Sequence, residues 1–372
     1  MSVSNSRSEL SVACCITPGG LIENVTLVID DHGIISEITQ TSKSDLELDV
    51  TLCPGFIDLQ VNGIDEIDVS TADGQDWTTI NHHLIRQGTT TWCPTLTSSS
   101  LENYEKSFAR IGKYLKTQST VVPQVAGVHL EGPYLGEALG AHEARNISKV
   151  NEDWIAQLPA FVKIMTLAPE QPLSPVAIEQ LIKQGVVVSI GHTRATSEQF
   201  DAAVASGASM VTHLFNAMSG LHHRESGVAL SALTCDQVAV GLIADLVHLS
   251  CEAINLTFRA KNEKDIYLVT DSIAWNNKIA KGRGIFVRDG APRLPDSTLA
   301  GSCLTMNLAI KNLVTKCGID LAAAVRAASQ NPAMILQLSD RGRIEVGLRA
   351  DLVALDQNFN VVASWIAGQR TR

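Results

Sequence analysis

The chain is short of positive charge: 29 Lys and Arg stand against 39 Asp and Glu, a formal net charge of −10. That balance excludes a broad basic surface, and with it nucleic acid or an anionic membrane as partner. An anionic substrate would have to be met by cations placed locally. There is no C-x-x-C pair among the eight scattered cysteines, so neither a disulfide framework nor a zinc knuckle is expected, and reduced thiols in a cytoplasm fit best. No apolar run approaches the roughly 20 residues of a membrane span, and the polar opening MSVSNSRSEL has no signal-peptide core. A soluble, cytoplasmic protein is expected. Also missing is the glycine-rich phosphate turn of a doubly wound dinucleotide fold: Pro54-Gly55-Phe56 follows the first β-rich stretch and does not supply G-x-G-x-x-G.

What is present is enough for a large core. The 372 residues are 45% hydrophobic and 18% charged, the balance of a globular enzyme. Both ends read as β: VTLVIDDHGIISEI has a hairpin turn at Asp31-His32-Gly33, and the last thirty residues hold short strands with turns at Gly347 and near Asp356–Asn360. The termini are therefore expected to meet in one small β-sandwich, residues 1–53 with 344–372. Between them, residues 54–343 alternate strand and helix. Candidate strands are Gly55–Val61, Thr89–Cys93, Gln124–Leu130, Val162–Leu167, Val186–Ile190, Met210–Thr212, Val238–Ile243 and Ile266–Val269. Helical patterns fall between most of them, as at Trp77–Gln87, Leu101–Lys116 and Ile178–Gln184. Eight such units predict an α/β fold, a (β/α)8 TIM-like barrel.

Barrel chemistry sits where strands end. Those ends carry Gln60 and Asn62, then Thr95, His129 and Glu131, Pro169, His192, His213, His248 and Asp271. The stretch from Val186 to Met218 is the most telling. Two β-branched runs each stop on a histidine, His192 and His213, with one helix between them whose Thr196 and Gln199 have capping-box spacing. Two imidazoles and the Glu131 carboxylate could hold one Zn2+-like ion and leave a position open for water. Asp271, ending LVTD, suits proton transfer to and from that water. Taken alone, it reads rather as a turn or N-cap residue.

The motifs PGFIDLQVNG, GTTTWCPTLTS, HLEGPYL, GAH, TLAPE, GHT, THLFNAM, LIADLVH, LVTDS and TLAGS follow one another in this chain. Together they resemble the N-acetylglucosamine-6-phosphate deacetylase family of the amidohydrolase superfamily, over about Pro54 to Ser302. The resemblance implies hydrolysis of the acetamide of N-acetylglucosamine 6-phosphate in a cytoplasmic homodimer. Its metal ligands would be Glu131, His192 and His213, with a metal-activated water as nucleophile and Asp271 as acid/base. Ala141 and His142 would contact the sugar, His142 also polarising the acetamide carbonyl. Asn216, Ala217, Arg224 and His248 would contact the phosphate. Leu299, Ala300, Gly301 and Ser302 would close over the sugar. By itself, Arg224 also reads as a solvated loop arginine. Where many relatives have His-x-His, this chain has Gln60-Val61-Asn62; amides are poor ligands, so one divalent ion is expected, Zn2+ or Fe2+. The loops GEALG and SIAWNNK depart from the family pattern. Three alternatives remain open: the galacto epimer of the sugar, an N-acyl amino acid amidohydrolase, and a barrel without catalysis.

Overall fold

The computed structural model describes residues 8–43 and 46–372; residues 1–7, within the polar N-terminal stretch read above, lie outside them. Eight parallel strands form the barrel: Phe56–Val61, Thr89–Thr97, Val128–Glu131, Val162–Leu167, Val187–Ile190, Met210–Val211, Ala239–Leu242 and Ile266–Leu268, each paired to the next in that order. The ring closes through a parallel bridge between Val61 and Ser272 and a bond from Asp271 N–H to the Gln60 carbonyl at 3.0 Å. We refer to these strands as first to eighth.

Their residues are buried on both faces because helices cover the outside, so they read as continuous β-branched and apolar runs. Several boundaries differ from the sequence expectation: the second strand runs on past Cys93 to Thr97, and two other differences have a visible cause. The third strand breaks after Gln124–Val125, which pairs separately with the second strand, and resumes at Val128. Gly127 lies in the gap, where a Cβ would come within 2.5 Å of Lys163 Cβ; backbone packed that closely onto the fourth strand needs glycine. The helix expected at Ile178–Gln184 starts earlier, at Ser174, with a proline in its first turn. The helix after the fifth strand, Ser197–Ala205, has its complete capping box, Thr196 to Gln199 and back, and turns Phe200 and Ala203 into the core.

The termini build a seven-stranded mixed sheet. Its order is Gln369–Arg370, Val361–Ile366, Leu352–Leu355, Leu48–Pro54, Ser8–Thr17, Gly20–Ile29, Ile35–Gln40. The sheet curls until the hairpin turn at Gly33 touches Ala367 and Gly368. Inside the curl Val12, Leu27, Leu52, Leu352 and Trp365 share an apolar core distinct from the barrel's. No helix among the described residues is long and apolar enough to cross a membrane.

Candidate active site

At the carboxyl ends of the strands the polypeptide leaves ordinary backbone geometry. His192, His213 and Asp271 have φ of 50°, 28° and 49°. Such left-handed conformations cost about 1–3 kcal/mol each in a non-glycine residue and persist where surrounding structure enforces them, as at ligand clamps. Here the strands stop and the side chains turn into the mouth of the barrel.

Three of those side chains converge. Glu131 Oε1 lies 3.2 Å from His192 Nε2 and 3.0 Å from His213 Nε2, and the two imidazole nitrogens are 3.1 Å apart. All three residues are 3–4% exposed. His142 stands against them, its Nε2 3.7 Å from Glu131 Oε2 and its ring 4.3 Å from that of His192. Ligand atoms of Glu131, His142 and His192 all lie within 4.8 Å of one another, so two histidines compete for the third place beside Glu131 and His192. Hydrogen bonding separates them. Ser98 N–H donates to His142 Nδ1 at 3.3 Å, which leaves the proton on Nε2 and makes His142 a donor toward the site. His192 is the reverse: its Nδ1 faces the Ala138 carbonyl at 3.1 Å, so Nδ1 carries the proton and Nε2 offers a lone pair. His213 presents Nε2 to the same oxygen and its buried Nδ1 has no partner. A carboxylate and two imidazole nitrogens packed this tightly, out of water, have the donor set and spacing of a cation site.

Charge state agrees for His192 and Glu131. Burial pushes His192 down to about 4, helped by neighbouring His142, so its lone pair is free at neutral pH. For Glu131, burial acts upward, yet the facing imidazoles of His142, His192 and His213 override it and hold the carboxyl well below its usual range. Burial also opposes charge on His213, but Glu131 and Asp271 draw its pKa upward on balance.

On the other side of the mouth stands Asp271, 8% exposed. Two amides from the first strand end on it: Asn62 Nδ2 at 2.7 Å and Gln60 Nε2 at 3.0 Å from Oδ1. Gln60 Nε2 also reaches Glu131 Oε1 at 2.8 Å, so one amide bridges both carboxylates. Burial and then the Glu131 charge push Asp271 up to about 7. Gln60 and Asn62 are therefore donors that fix the carboxylates, a role the sequence reading, which saw only weak ligands, did not assign. Two further groups went unassigned. Asp245 Oδ2 accepts from His248 Nδ1 at 2.7 Å and sets that ring's orientation. Glu170 accepts from Arg194 N–H at 2.8 Å and from the Thr193 hydroxyl, bracing the turn after His192. The sequence signal for both was their place within LIADLVH and TLAPE.

Of the expected substrate contacts, Ala141 and His142 lie on a loop whose Ala141 carbonyl accepts from Arg283 Nη2 at 2.6 Å. Asn216 and Ala217 sit in the turn after His213, the Ala217 carbonyl taking the Thr193 N–H at 3.1 Å. His248 follows the seventh strand, its ring held by Asp245. Leu299 to Ser302 run beside Asp271, with Ser302 N–H donating to its carbonyl at 2.8 Å. Arg224 is not brought in with them: it is exposed on the loop spanning 219–227 and makes no hydrogen bond or ion pair among the described residues. His222 and His223 are exposed beside it, and Lys163 lies at the opposite end of its strand from the mouth.

Residues 51–371 match the model of the amidohydrolase family. The chain belongs to the amidohydrolase family. Within it, this amidohydrolase is 32% identical to an N-acetylglucosamine-6-phosphate deacetylase of Lysinibacillus sphaericus, over 83% of this chain and 82% of that one. It is 31% identical to an N-acetylgalactosamine-6-phosphate deacetylase of Shewanella sp., over 95% and 93% of the two chains. The crystal structure of N-acetylglucosamine-6-phosphate deacetylase from Thermotoga maritima superposes with a TM-score of 0.88 at 32% identity, covering 98% of this chain and 99% of that chain. The TIM-like barrel with a sheet from both termini is thus the architecture of these deacetylases.

Proposed function

We propose that this amidohydrolase hydrolyses the acetamide of N-acetylglucosamine 6-phosphate, releasing acetate and glucosamine 6-phosphate. The observation that carries the reading is the pairing of a Glu131–His192–His213 cluster with a separate buried carboxylate, Asp271, joined through Gln60. Glu131, His192 and His213 would hold one divalent ion, Zn2+ or Fe2+. Such an ion polarises the acyl oxygen and acidifies water. Asp271 takes a proton from the attacking water and returns it to the departing nitrogen, so that water adds across the C–N bond; a carboxyl pushed up to about 7 suits both halves of that task. His142, with its Nε2–H directed inward, donates to the acyl oxygen as negative charge grows there. Asn216, Ala217 and His248 receive the phosphate, with Arg224 carried in from its exposed loop as a planar cation. Ala141 and the stretch Leu299–Ser302 bound the sugar.

The reading includes a small domain of residues 1–53 and 344–372 on a barrel of residues 54–343, supported by their separate cores. It also includes a homodimer working in the cytoplasm. A second reading keeps the reaction and changes the epimer, since the Shewanella relative acts on the galacto sugar and matches this chain over 95% of its length. Steady-state kinetics on both 6-phosphates decide. The expected result is a higher kcat/KM for the gluco form; a preference for the galacto form transfers the function to the second reading.

A further inference from the structure

One layer beneath the Glu131–His192–His213 cluster the barrel interior is polar, where such interiors are usually filled by bulky apolar side chains. His129 and Glu131 are two apart on the third strand and so share its inward face. His129 Nδ1 lies 2.9 Å from the Leu59 carbonyl and its Nε2 2.8 Å from Thr166 Oγ1. Thr166 Oγ1 is 2.7 Å from Thr212 Oγ1, which is 2.6 Å from Ser189 Oγ. The chain thus joins the first, third, fourth and fifth strands to the end of the sixth, and its four side chains are at most 2% exposed.

Only one arrangement of protons satisfies it. A carbonyl can only accept, so Nδ1 of His129 carries the proton. Neither ring nitrogen meets a carboxylate, which a buried charge would need, so the ring is neutral and Nε2 must accept from the Thr166 hydroxyl. Thr166 then accepts from Thr212, and Thr212 from Ser189. Every hydroxyl in the chain points the same way.

Each residue of the cluster above is tied to this chain. The Thr166 carbonyl accepts from the N–H of Gly132, the residue after Glu131, at 3.1 Å. Gly191, the residue before His192, packs on both threonines so closely that a Cβ there would lie 2.8 Å from Thr166 Cγ2 and 2.9 Å from Thr212 Cβ. His213 follows Thr212 directly. Leu59 directly precedes Gln60, the amide that bridges Glu131 and Asp271. We propose that this directed chain sets the spacing of the cation site, with Thr166 and His129 as its positioning residues. The inference rests on reading the Glu131–His192–His213 cluster as that site. Apolar side chains could fill the same space, but their contacts have no direction; a satisfied polar network specifies one arrangement of the strand ends.

The test compares Zn2+ affinity, by competition with a chelator, and the absorption spectrum of the Co2+-loaded protein in the wild type, Thr166→Val and Thr166→Ser. Valine keeps the shape and removes the hydroxyl; serine keeps the hydroxyl. Thr166→Val should weaken Zn2+ binding about 10- to 100-fold and shift the Co2+ spectrum, and Thr166→Ser should stay close to the wild type in both. Thr212→Val leaves the link from Thr166 to His129 intact, so it should give a smaller loss in the same direction, and it serves should Thr166→Val fold poorly. Wild-type affinity and spectrum in both valine variants would make the chain a packing feature only and overturn the inference, leaving the cation site intact. An equal loss in Thr166→Ser and Thr166→Val would overturn it too, since the hydroxyl would then not be what matters. A wild type that binds no Zn2+ would overturn the cation site itself, and the inference with it.

Discussion

The two sides of the barrel mouth are built from different chemistry. Where the third, fifth and sixth strands end, a carboxylate and two imidazoles crowd within 3.2 Å, and the His192 tautomer points its lone pair inward. Where the first and eighth strands end, Asp271 is surrounded by amide donors, Asn62 and Gln60. The first side suits a cation, the second suits a proton. At the first strand neutral amides meet the carboxylate without bringing charge, so Asp271 keeps a pKa pushed up to about 7 by burial and by Glu131.

The largest effect should come from breaking the proton side alone. Asp271→Asn keeps the shape and the amide contacts but cannot carry the proton, so kcat should fall about 10²- to 10⁴-fold with metal content unchanged. Equal rates for variant and parent, measured at matched metal loading, remove Asp271 from its role. A second change makes the two sides alike. Gln60→His with Asn62→His supplies imidazoles to the first strand, and bound metal should rise from one toward two equivalents per chain. Metal that stays at one equivalent would show that something other than amide chemistry limits the site.

The smallest effect lies beneath both sides, at Asp58. Its carboxylate accepts from Thr270 Oγ1 at 2.6 Å and from the Thr270 and Gln60 N–H groups at 3.2 Å, tying together the residues that precede Asp271 and form the first strand end. Burial pushes this carboxyl up to about 7, the donors only partly opposing. The folded state then binds more protons than the unfolded chain between the usual Asp range and pH 7. The contribution of Asp58 is fully present at low pH and lost as pH rises through about 7, with a slope of at most about 1.4 kcal/mol per pH unit. Asp58→Asn should remove that slope, so the stability of the variant relative to the wild type, from denaturant unfolding, should rise between pH 5 and 8. A constant difference across that range would mean that Asp58 is ionised in the fold.

The fold was legible in the sequence because the strands are buried on both faces and their β-branched runs stop abruptly on His192, His213 and Asp271. The hairpin at Gly33 and the capping box at Thr196 declared themselves through local chemistry. What pattern could not show depends on contacts distant in the chain. Gln60 meets Glu131 across 71 residues and Asp271 across 211; only closing the ring makes its amide a bridge rather than a failed ligand. The donor tautomer of His142 is set by Ser98 N–H, 44 residues away. Arg283 lies in a stretch with no periodicity, and its link to Ala141 spans 142 residues. At the break in the third strand, Gly127 packs against Lys163 of the fourth strand, 36 residues on, where a Cβ would not fit.

The most direct test of the divided mouth is metal stoichiometry by elemental analysis, set beside turnover, for protein loaded with excess Zn2+ and then desalted. One equivalent per chain is expected in the wild type and in Asp271→Asn, with less than a tenth retained in His213→Ala and turnover lost in both variants. Two equivalents in the wild type, or a full equivalent with normal turnover in His213→Ala, would contradict the account.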